Sequence, residues 1–320
     1  MAIYKLASRK LAEFKAVDWQ QSLREAIRTP AELLSILELD AAAVDGFEPT
    51  AKEFPLLVPR SFVARMRKGD PRDPLLLQVL PKQREQSKVA GFTRDPLQET
   101  CLAQHGVLKK YSGRALIVTT GACPIHCRYC FRRHFPYSDQ IASRDHWGGV
   151  LKMLRDAKDV TEVILSGGDP LSLVDRRLTE LVDEIEKLAF VKTLRLHTRF
   201  PIVLPERVSR KLLSILSKTR LSTVLVVHCN HANEIDDSVR IALKDLKSTG
   251  TQLLNQSVLL NGINDDVGRL ERLSRVLFDC GVLPYYLHLL DPVAGTAHFE
   301  VKESRARELV TQLQHRLPGY

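Results

Sequence analysis

From Tyr111 onward, this 320-residue sequence alternates short apolar runs with amphipathic helical patterns. Six runs are predicted to be strands, at residues 115–120, 163–165, 194–196, 224–227, 253–260 and 285–290. The helical stripes between or after them include Leu178, Leu181, Val182 and Ile185, then Val239, Ala242, Leu243 and Leu246, then Ala306, Leu309, Val310 and Leu313. Strand–helix repetition predicts a parallel sheet with right-handed crossovers. Because a closed eight-unit barrel typically needs about 250 residues, we predict an α/β fold with a six-stranded parallel partial (β/α)6 barrel.

The residues before the barrel are predicted to form a helical extension. Thr29-Pro30-Ala31-Glu32 combines an N-cap, a proline at the first helical position and a capping glutamate. A second helix is predicted from Ser61 to Lys68, ending at Gly69. We therefore divide the chain into an N-terminal helical extension (1–110), a partial barrel core (111–300) and a C-terminal helix (301–320).

Composition narrows the class of protein. There is no signal-peptide pattern and no apolar run long enough to span a bilayer, so we expect a cytoplasmic protein without a membrane partner. The net charge of +9 is spread along the chain and aromatic residues make up only 6%, which argues against nucleic acid as a partner. Three of the six cysteines, Cys101, Cys229 and Cys280, are expected to be small buried apolar residues.

The other three cysteines, Cys123, Cys127 and Cys130, lie within eight residues directly after the first predicted strand. Thiolates are soft ligands for iron–sulfur clusters or zinc. Three ligands on one loop could bind a [4Fe-4S] cubane and leave its fourth iron open to a small molecule. The alternative is a structural zinc site completed by His126 or His134.

The C-x3-C-x2-C spacing resembles that of the radical S-adenosylmethionine (SAM) superfamily. The resemblance implies a [4Fe-4S] cluster, SAM bound at the open iron, and reductive cleavage of SAM to a 5′-deoxyadenosyl radical. It also implies an electron donor such as flavodoxin or ferredoxin. Ser166-Gly167-Gly168-Asp169, after the second strand, resembles the superfamily motif that receives the methionyl amino group of SAM. The alternative for these residues is an ordinary strand-to-helix turn.

Three further segments resemble the lysine 2,3-aminomutases: Asp70 to Pro81, Gly91 to Glu99, and Phe131 to Tyr137. The last resembles the short bacterial branch, which converts L-lysine to (R)-β-lysine through a pyridoxal phosphate (PLP) imine and supplies the ligase that modifies elongation factor P. The resemblance implies that Arg132 receives the substrate α-carboxylate and that Asp291 contacts its ε-ammonium. It implies that Arg114 lies near PLP, and that His228 and Gln256 contribute to cofactor binding.

Each of these residues also has an ordinary structural explanation. Arg132 could be a surface arginine, Asp291 could belong to an Asp-Pro turn, and His228 and Gln256 could be satisfied core polar residues. If the barrel is correct, the carboxyl ends of its strands bring these side chains to one edge. Radical SAM chemistry on another amino acid or without PLP remains an alternative, as does, more remotely, a zinc-stabilised nucleic-acid-binding protein.

The resemblance to the aminomutases does not extend to the lysine that binds PLP. In that family the Schiff-base lysine lies beyond the helix that follows strand six, whereas this sequence stops at Leu317-Pro-Gly-Tyr320. We expect the sequence to be a truncated form of a longer protein; the alternative is a variant that does not bind PLP covalently.

Overall fold

A computed structural model describes residues 18–50, 53–99, 106–109, 111–137 and 147–319. The described residues of the N-terminal part form three short α-helices, α1 (Trp19–Arg24), α2 (Pro30–Ile36) and α3 (Arg60–Val63). Thr29 caps α2 as predicted, because its side chain accepts a hydrogen bond from the Glu32 backbone N–H. The second predicted helix is shorter than expected: α3 ends after one turn, and the Asp73 carboxylate accepts a bond from the Arg67 backbone N–H instead.

The sheet has seven strands in sequential order, of which β2 to β7 are parallel. The strands are β1 (Val107–Leu108), β2 (Arg114–Thr120), β3 (Glu162–Gly167), β4 (Thr193–Thr198), β5 (Ser222–His228), β6 (Gln252–Val258) and β7 (Leu283–His288). The six predicted parallel strands are confirmed. The two-residue β1, antiparallel to β2, is an addition that was too short to predict. No pairing joins β1 to β7 in the described parts of the chain, so the sheet is open.

Helices follow the parallel strands and cover one face of the sheet. They are α4 (Gly148–Asp156), α5 (Asp175–Glu186), α6 (Phe200–Val203), α7 (Arg210–Lys218), α8 (Asp237–Ser248), α9 (Val267–Asp279) and α10 (Glu303–Gln314). Right-handed crossovers between sequential strands place all such helices on the same side, which curls the sheet into a partial barrel. The predicted stripes of α5 and α8 are buried. In α10, Ala306 and Leu309 are buried, whereas Val310 is 38% exposed.

The other face of the sheet is less covered. Along β4, Leu194 and Leu196 are buried against the helices, whereas Arg195 and His197 point the opposite way and are half-buried. Arg195 and His197 mark the second face of the sheet. We call the surface that this face presents along β2 to β7 the trough. Apolar residues of the N-terminal part and of the barrel belong to one continuous core cluster, so the two parts pack together.

Two smaller observations complete the fold. Cys229 is buried as predicted, Cys280 is half-buried, and Cys101 lies outside the described residues. Among the described residues, no helix is both long enough and apolar enough to cross a bilayer.

Candidate active site at the carboxyl edge of the sheet

The cysteine loop lies at the carboxyl end of β2 and is bound by the N-terminal part of the chain. The His126 backbone N–H donates to Leu57 O at 2.9 Å, and the Arg128 backbone N–H donates to Gln78 O at 2.8 Å. Within the loop, the Cys130 N–H donates to Cys127 O at 3.0 Å. The extension therefore determines the conformation of the loop that carries the predicted cluster ligands.

Two buried ion pairs fix the residues around Cys130. Glu85 Oε1 accepts from Arg128 Nε at 2.9 Å. Glu85 Oε2 accepts from Arg128 Nη2 and also from Arg133 Nη2, the latter at 2.8 Å. Burial alone would raise the Glu85 pKa, but the hydrogen bonds and charges of the two arginines lower it below its ordinary value. We call Glu85, Arg128 and Arg133 the arginine clamp.

The thiols have the electrostatics of a site that needs a cation. Burial, together with repulsion from the neighbouring thiolates, raises the pKa of Cys123 well above its ordinary value and that of Cys130 to about 11. A bound metal centre compensates thiolate charge and holds such ligands deprotonated. The donor set and its chemistry therefore fit a [4Fe-4S] cluster with three protein ligands.

The two histidines of the zinc alternative point elsewhere. The His126 ring stacks on Phe54 with centroids 4.9 Å apart, and its Nδ1 lies 2.8 Å from Pro55 O. His134 Nε2 lies 3.1 Å from Ala294 O. In the described ranges, no three His, Cys, Asp or Glu side chains converge as ligands of a single ion. The geometry therefore gives no support to a Cys3His zinc site.

Arg199, at the end of β4, reaches the cysteine loop. Its Nη1 donates to Cys127 Sγ and to the Tyr129 hydroxyl, and its Nη2 donates to Gln78 Oε1 at 2.8 Å and to Glu234 Oε2 at 3.1 Å. Arg199 is 5% exposed and Glu234 is fully buried. Burial alone would lower the Arg199 pKa, but the surrounding thiol, phenol and carboxylate raise it well above its ordinary value. This guanidinium is therefore a fixed positive charge beside a predicted cluster ligand.

Gly167 and Gly168 allow the end of β3 to approach the backbone that leads into the cysteine loop. Gly167 has φ +118°, and a Cβ there would lie 2.6 Å from Thr120 O. A Cβ at Gly168 would overlap Ala122 O. At both positions the close approach in the structure is to the backbone that precedes the cysteine loop, so the absence of side chains lets β3 pack against it. Contact of these glycines with SAM stays a prediction.

Asp169 connects the ends of β3 and β4. Its carboxylate accepts from Leu171 N at 3.0 Å, from Thr198 Oγ1 at 2.7 Å and from Arg199 N at 2.6 Å. Burial raises its pKa to about 6, against the opposing effect of these hydrogen bonds. Asp169 is thus bonded to protein groups and supports the site, whereas contact with SAM stays a prediction.

Arg132 is buried and already binds a carboxylate. Its Nε and Nη2 donate to the two oxygens of Glu99 at 2.7 and 3.0 Å, while Nη1 donates to Ser166 Oγ at 2.9 Å and to Gly167 O at 3.1 Å. The alternative of a surface arginine is wrong, since Arg132 is 7% exposed. The bidentate geometry is the one a substrate carboxylate would use, and such a carboxylate would have to replace Glu99.

Besides the charged residues at its ends, the trough carries uncharged polar groups on β4, β5 and β6. Gln256 Nε2 lies 3.4 Å from His228 Nδ1, and the His197 and His228 rings meet edge to face with centroids 6.2 Å apart. Nε2 of each of these two histidines is buried and has no hydrogen-bond partner among the described residues. Burial and nearby positive charge lower the His197 pKa to about 3 and the His228 pKa well below its ordinary value. Both rings are therefore neutral at pH 7 and have an unused polar atom for a ligand.

Asp291 and Arg114 lie at opposite ends of this trough. Asp291 follows β7 at the carboxyl edge, and its charge acts on the nearby His288. Arg114 begins β2, six residues and roughly 20 Å along the strand from Thr120. It is paired with Glu162 at 3.2 Å, and Glu162 also binds Arg195 at 2.7 Å. The structure therefore corrects the expectation of one edge for all candidates: Arg114 is at the amino end of the sheet, away from the cysteines.

Several site residues were not predicted from the sequence. Gln78, Glu85 and Glu99 come from the N-terminal part, and Arg199 and Glu234 follow β4 and β5. Gln78 and Glu99 lie within segments that resemble the aminomutases, whereas Glu85 lies between those segments and had no sequence signal. For Arg199 the only signal was its place after a strand end.

Comparisons with known proteins agree with this geometry. Residues 117–269 match the model of the radical SAM superfamily. The chain is 44% identical to the L-lysine 2,3-aminomutase of Escherichia coli (strain K12) over 95% of its own length and 89% of the relative. It is 41% identical to that of Haemophilus influenzae, covering 95% and 90%.

More distant proteins share less of the sequence. The L-lysine 2,3-aminomutase of Clostridium subterminale is 32% identical, with 95% of this chain and 73% of the relative covered. A radical SAM methyltransferase structure from Sphaerobacter thermophilus covers 66% of each chain at 16% identity with a TM-score of 0.45, too distant to inform the site. With a three-cysteine loop after the first parallel strand and such identities over most of its length, this chain belongs to the lysine 2,3-aminomutase family of radical SAM enzymes.

Proposed function

We propose that this protein is a radical SAM isomerase that converts L-lysine to (R)-β-lysine by moving an amino group between carbons 2 and 3. The observation that carries the proposal is the 44% identity to an L-lysine 2,3-aminomutase over 89% of that enzyme, in a chain whose cysteine loop borders a polar trough. The substrate assignment comes from the names of the relatives, and the trough supplies groups of suitable chemistry.

Cys123, Cys127 and Cys130 would hold the cluster, and Ser166 with the adjoining backbone would border SAM. When bound, the cluster and SAM supply the electron and the adenosyl radical that removes a hydrogen atom, and PLP supplies the conjugated system for nitrogen migration. The neutral His228 and the amide of Gln256 can offer hydrogen bonds to these cofactors without adding charge. The arginine clamp would hold the cysteine loop against the N-terminal part.

Arg132 would orient the substrate by its α-carboxylate. Its fork already accommodates the Glu99 carboxylate in bidentate geometry, so the substrate would exchange with Glu99 while Ser166 keeps its bond to Nη1. Asp291, at the carboxyl end of β7, would pair with the ε-ammonium. Two opposite charges at separate positions select a diamino acid whose length spans them.

The parallel strands do not provide a lysine that could form a Schiff base with PLP. No lysine occurs in β2 to β7, so a Schiff-base lysine for PLP would come from elsewhere in the protein. Arg114 and Arg195 share Glu162 at the amino end of the trough, where their charge would suit a phosphate. We place the PLP phosphate there as part of this proposal.

We also propose the cellular context that the family resemblance implies. The product would pass to the ligase that modifies elongation factor P, and a flavodoxin or ferredoxin would supply the electron. The reaction would take place in the cytoplasm, because an oxygen-sensitive cluster needs a reducing compartment.

The test is an anaerobic assay of reconstituted protein with dithionite, SAM, PLP and L-lysine, in which β-lysine and 5′-deoxyadenosine are quantified. We expect β-lysine from the wild type and none from Cys127→Ala. Asp291→Asn should retain SAM cleavage but raise the KM for lysine at least tenfold, the cost of about 1.4 kcal/mol of lost ion pairing.

The assay also separates the alternatives. If the protein cleaves SAM but forms no β-lysine, even in a form extended beyond Tyr320, the substrate assignment is wrong and other amino acids are to be assayed. If the reconstituted wild type contains zinc and no iron, the radical mechanism itself is refuted.

A further inference from the structure

We propose that Arg199 is a positioning residue that tunes the reduction potential of the iron–sulfur cluster through Cys127. Its Nη1 donates to Cys127 Sγ, one of the three thiols predicted to bind iron. A thiolate bound to iron keeps lone pairs that can accept such a bond. A hydrogen bond to a ligand sulfur stabilises the more negative, reduced cluster and raises its potential. The proposal rests on the cluster part of the proposed function and is independent of the substrate.

The environment of Arg199 keeps its guanidinium at this sulfur. Nη2 donates to Gln78 Oε1 at 2.8 Å and to Glu234 Oε2 at 3.1 Å, which fixes the plane of the guanidinium. Tyr129, from the cysteine loop, contacts Nη1 as well. These partners come from three separate parts of the chain, so the arginine side chain has little freedom to leave Cys127.

The partners of Arg199 are themselves fixed. Glu234 Oε1 accepts the backbone N–H groups of Asn230 and His231, each at 2.9 Å, and Gln78 Nε2 at 3.1 Å. Asn230 Nδ2 donates to Gln78 Oε1 at 3.1 Å. Burying these charged and polar groups costs desolvation free energy that an apolar core would avoid. Because stability alone does not require such a network, we infer that it has a functional role at Cys127.

A second arginine provides a matched control. Arg65 has a side chain only 5% exposed and also bonds the strand-end region, donating to Ile202 O at 2.6 Å and Ser61 O at 3.0 Å. Within the described residues, its hydrogen-bond and ion-pair partners are backbone carbonyls and one carboxylate, that of Asp236, and none is a cysteine sulfur. Arg65→Met therefore removes a buried guanidinium of similar burial without removing a bond to Cys127.

The experiment compares reconstituted wild type, Arg199→Met and Arg65→Met, each with measured iron and sulfide content. The midpoint potential of the cluster is determined by a redox titration followed by electron paramagnetic resonance, and the Fe–S(Cys) stretch by resonance Raman spectroscopy. We expect Arg199→Met to shift the potential to more negative values and the stretch to higher frequency, because the thiolate loses its donor. Arg65→Met should leave both at their wild-type values.

Each outcome decides the question. Wild-type potential and stretch in fully loaded Arg199→Met, or equal shifts in both variants, would overturn the proposal. If Arg199→Met does not take up iron, Arg199→Gln, which removes the charge and shortens the side chain away from Cys127, is measured in the same way. A negative shift of the potential in that variant supports the proposal, and a wild-type potential overturns it. A wild type that assembles no cluster would instead refute the proposed function.

Discussion

Replacing Glu85 with glutamine should destabilise the protein and impair loading of the cluster. Glu85 accepts bonds from two buried arginines, Arg128 and Arg133, whose side chains are 2% and 4% exposed. The variant keeps the shape of the side chain but leaves both guanidiniums without a counter-charge. Removing one partner of a buried ion pair typically costs about 3–5 kcal/mol, because the remaining charge stays buried.

The control for this change is Glu38→Gln. Glu38 pairs with Lys68 at 2.7 Å, but the two side chains are 66% and 63% exposed, so solvent screens the pair. Such surface pairs contribute about 0–1 kcal/mol, and the control should unfold close to wild type. The two variants make the same chemical substitution and differ in burial.

The assay is equilibrium urea unfolding of the cluster-free protein at pH 7, followed by iron analysis after reconstitution. We expect Glu85→Gln to lower the free energy of unfolding by several kcal/mol and to reduce bound iron, since the clamp flanks Cys130. An unfolding free energy within about 0.5 kcal/mol of Glu38→Gln, with full iron content, would refute the reasoning.

The clamp also predicts a pH dependence. The Glu85 pKa is lowered in the folded state, so the folded protein binds this proton more weakly than the unfolded chain. Its contribution to stability is therefore complete above the unfolded pKa of about 4.3 and is lost as the pH falls through the lower folded value. In acid titrations of stability, the difference between wild type and Glu85→Gln should shrink below about pH 4.

Three further changes test other parts of the site. Arg132→Lys should lower kcat/KM for the substrate L-lysine by at least tenfold while the cluster still forms, because an ammonium group cannot bind a carboxylate in bidentate geometry. An unchanged kcat/KM would exclude the role assigned to Arg132. Gly168→Ala should reduce iron content, since the new Cβ would overlap Ala122 O beside the cysteine loop; full loading would show that the loop can move aside. Burial raises the Asp169 pKa to about 6 in the folded state. The resulting contribution to stability is therefore complete below the unfolded pKa of about 4 and is lost as the pH rises through about 6. Asp169→Asn should remove this decrease in the free energy of unfolding between about pH 4 and 6.

The sheet was predictable because its signal is local. Apolar runs separated by helical stripes determine strand, helix and crossover, and residues such as Leu181 and Leu243 lie where the periodicity placed them. The prediction failed where local pattern is insufficient: β1 has two residues, and α3 stops early although Ser61 to Lys68 has helical character.

The site was predictable only in part, for a similar reason. The cysteine spacing is a local signal, and it lies at the carboxyl edge where the fold requires it. The partners of its neighbours are distant in sequence: Glu85 is 43 residues from Arg128, and Gln78 is 121 residues from Arg199. Such pairs depend on the path of the N-terminal part across the barrel, which no local pattern specifies. Asp291 contacting substrate stays a prediction.

The attachment of the cysteine loop to the N-terminal part has a thermodynamic consequence. Leu57 and Gln78 accept the loop's backbone N–H groups, and Glu85 binds the arginines that flank its cysteines. A cluster that binds only the folded loop must therefore also stabilise the folded state of these distant residues. By thermodynamic linkage, the contacts of these residues favour cluster binding by the same free energy with which the bound cluster favours the contacts. Oxidative loss of the cluster should accordingly increase the rate of amide hydrogen exchange around Leu57 and Gln78, which are far from the predicted iron ligands in sequence. The local stability of the N-terminal part would then depend on whether the cluster is intact.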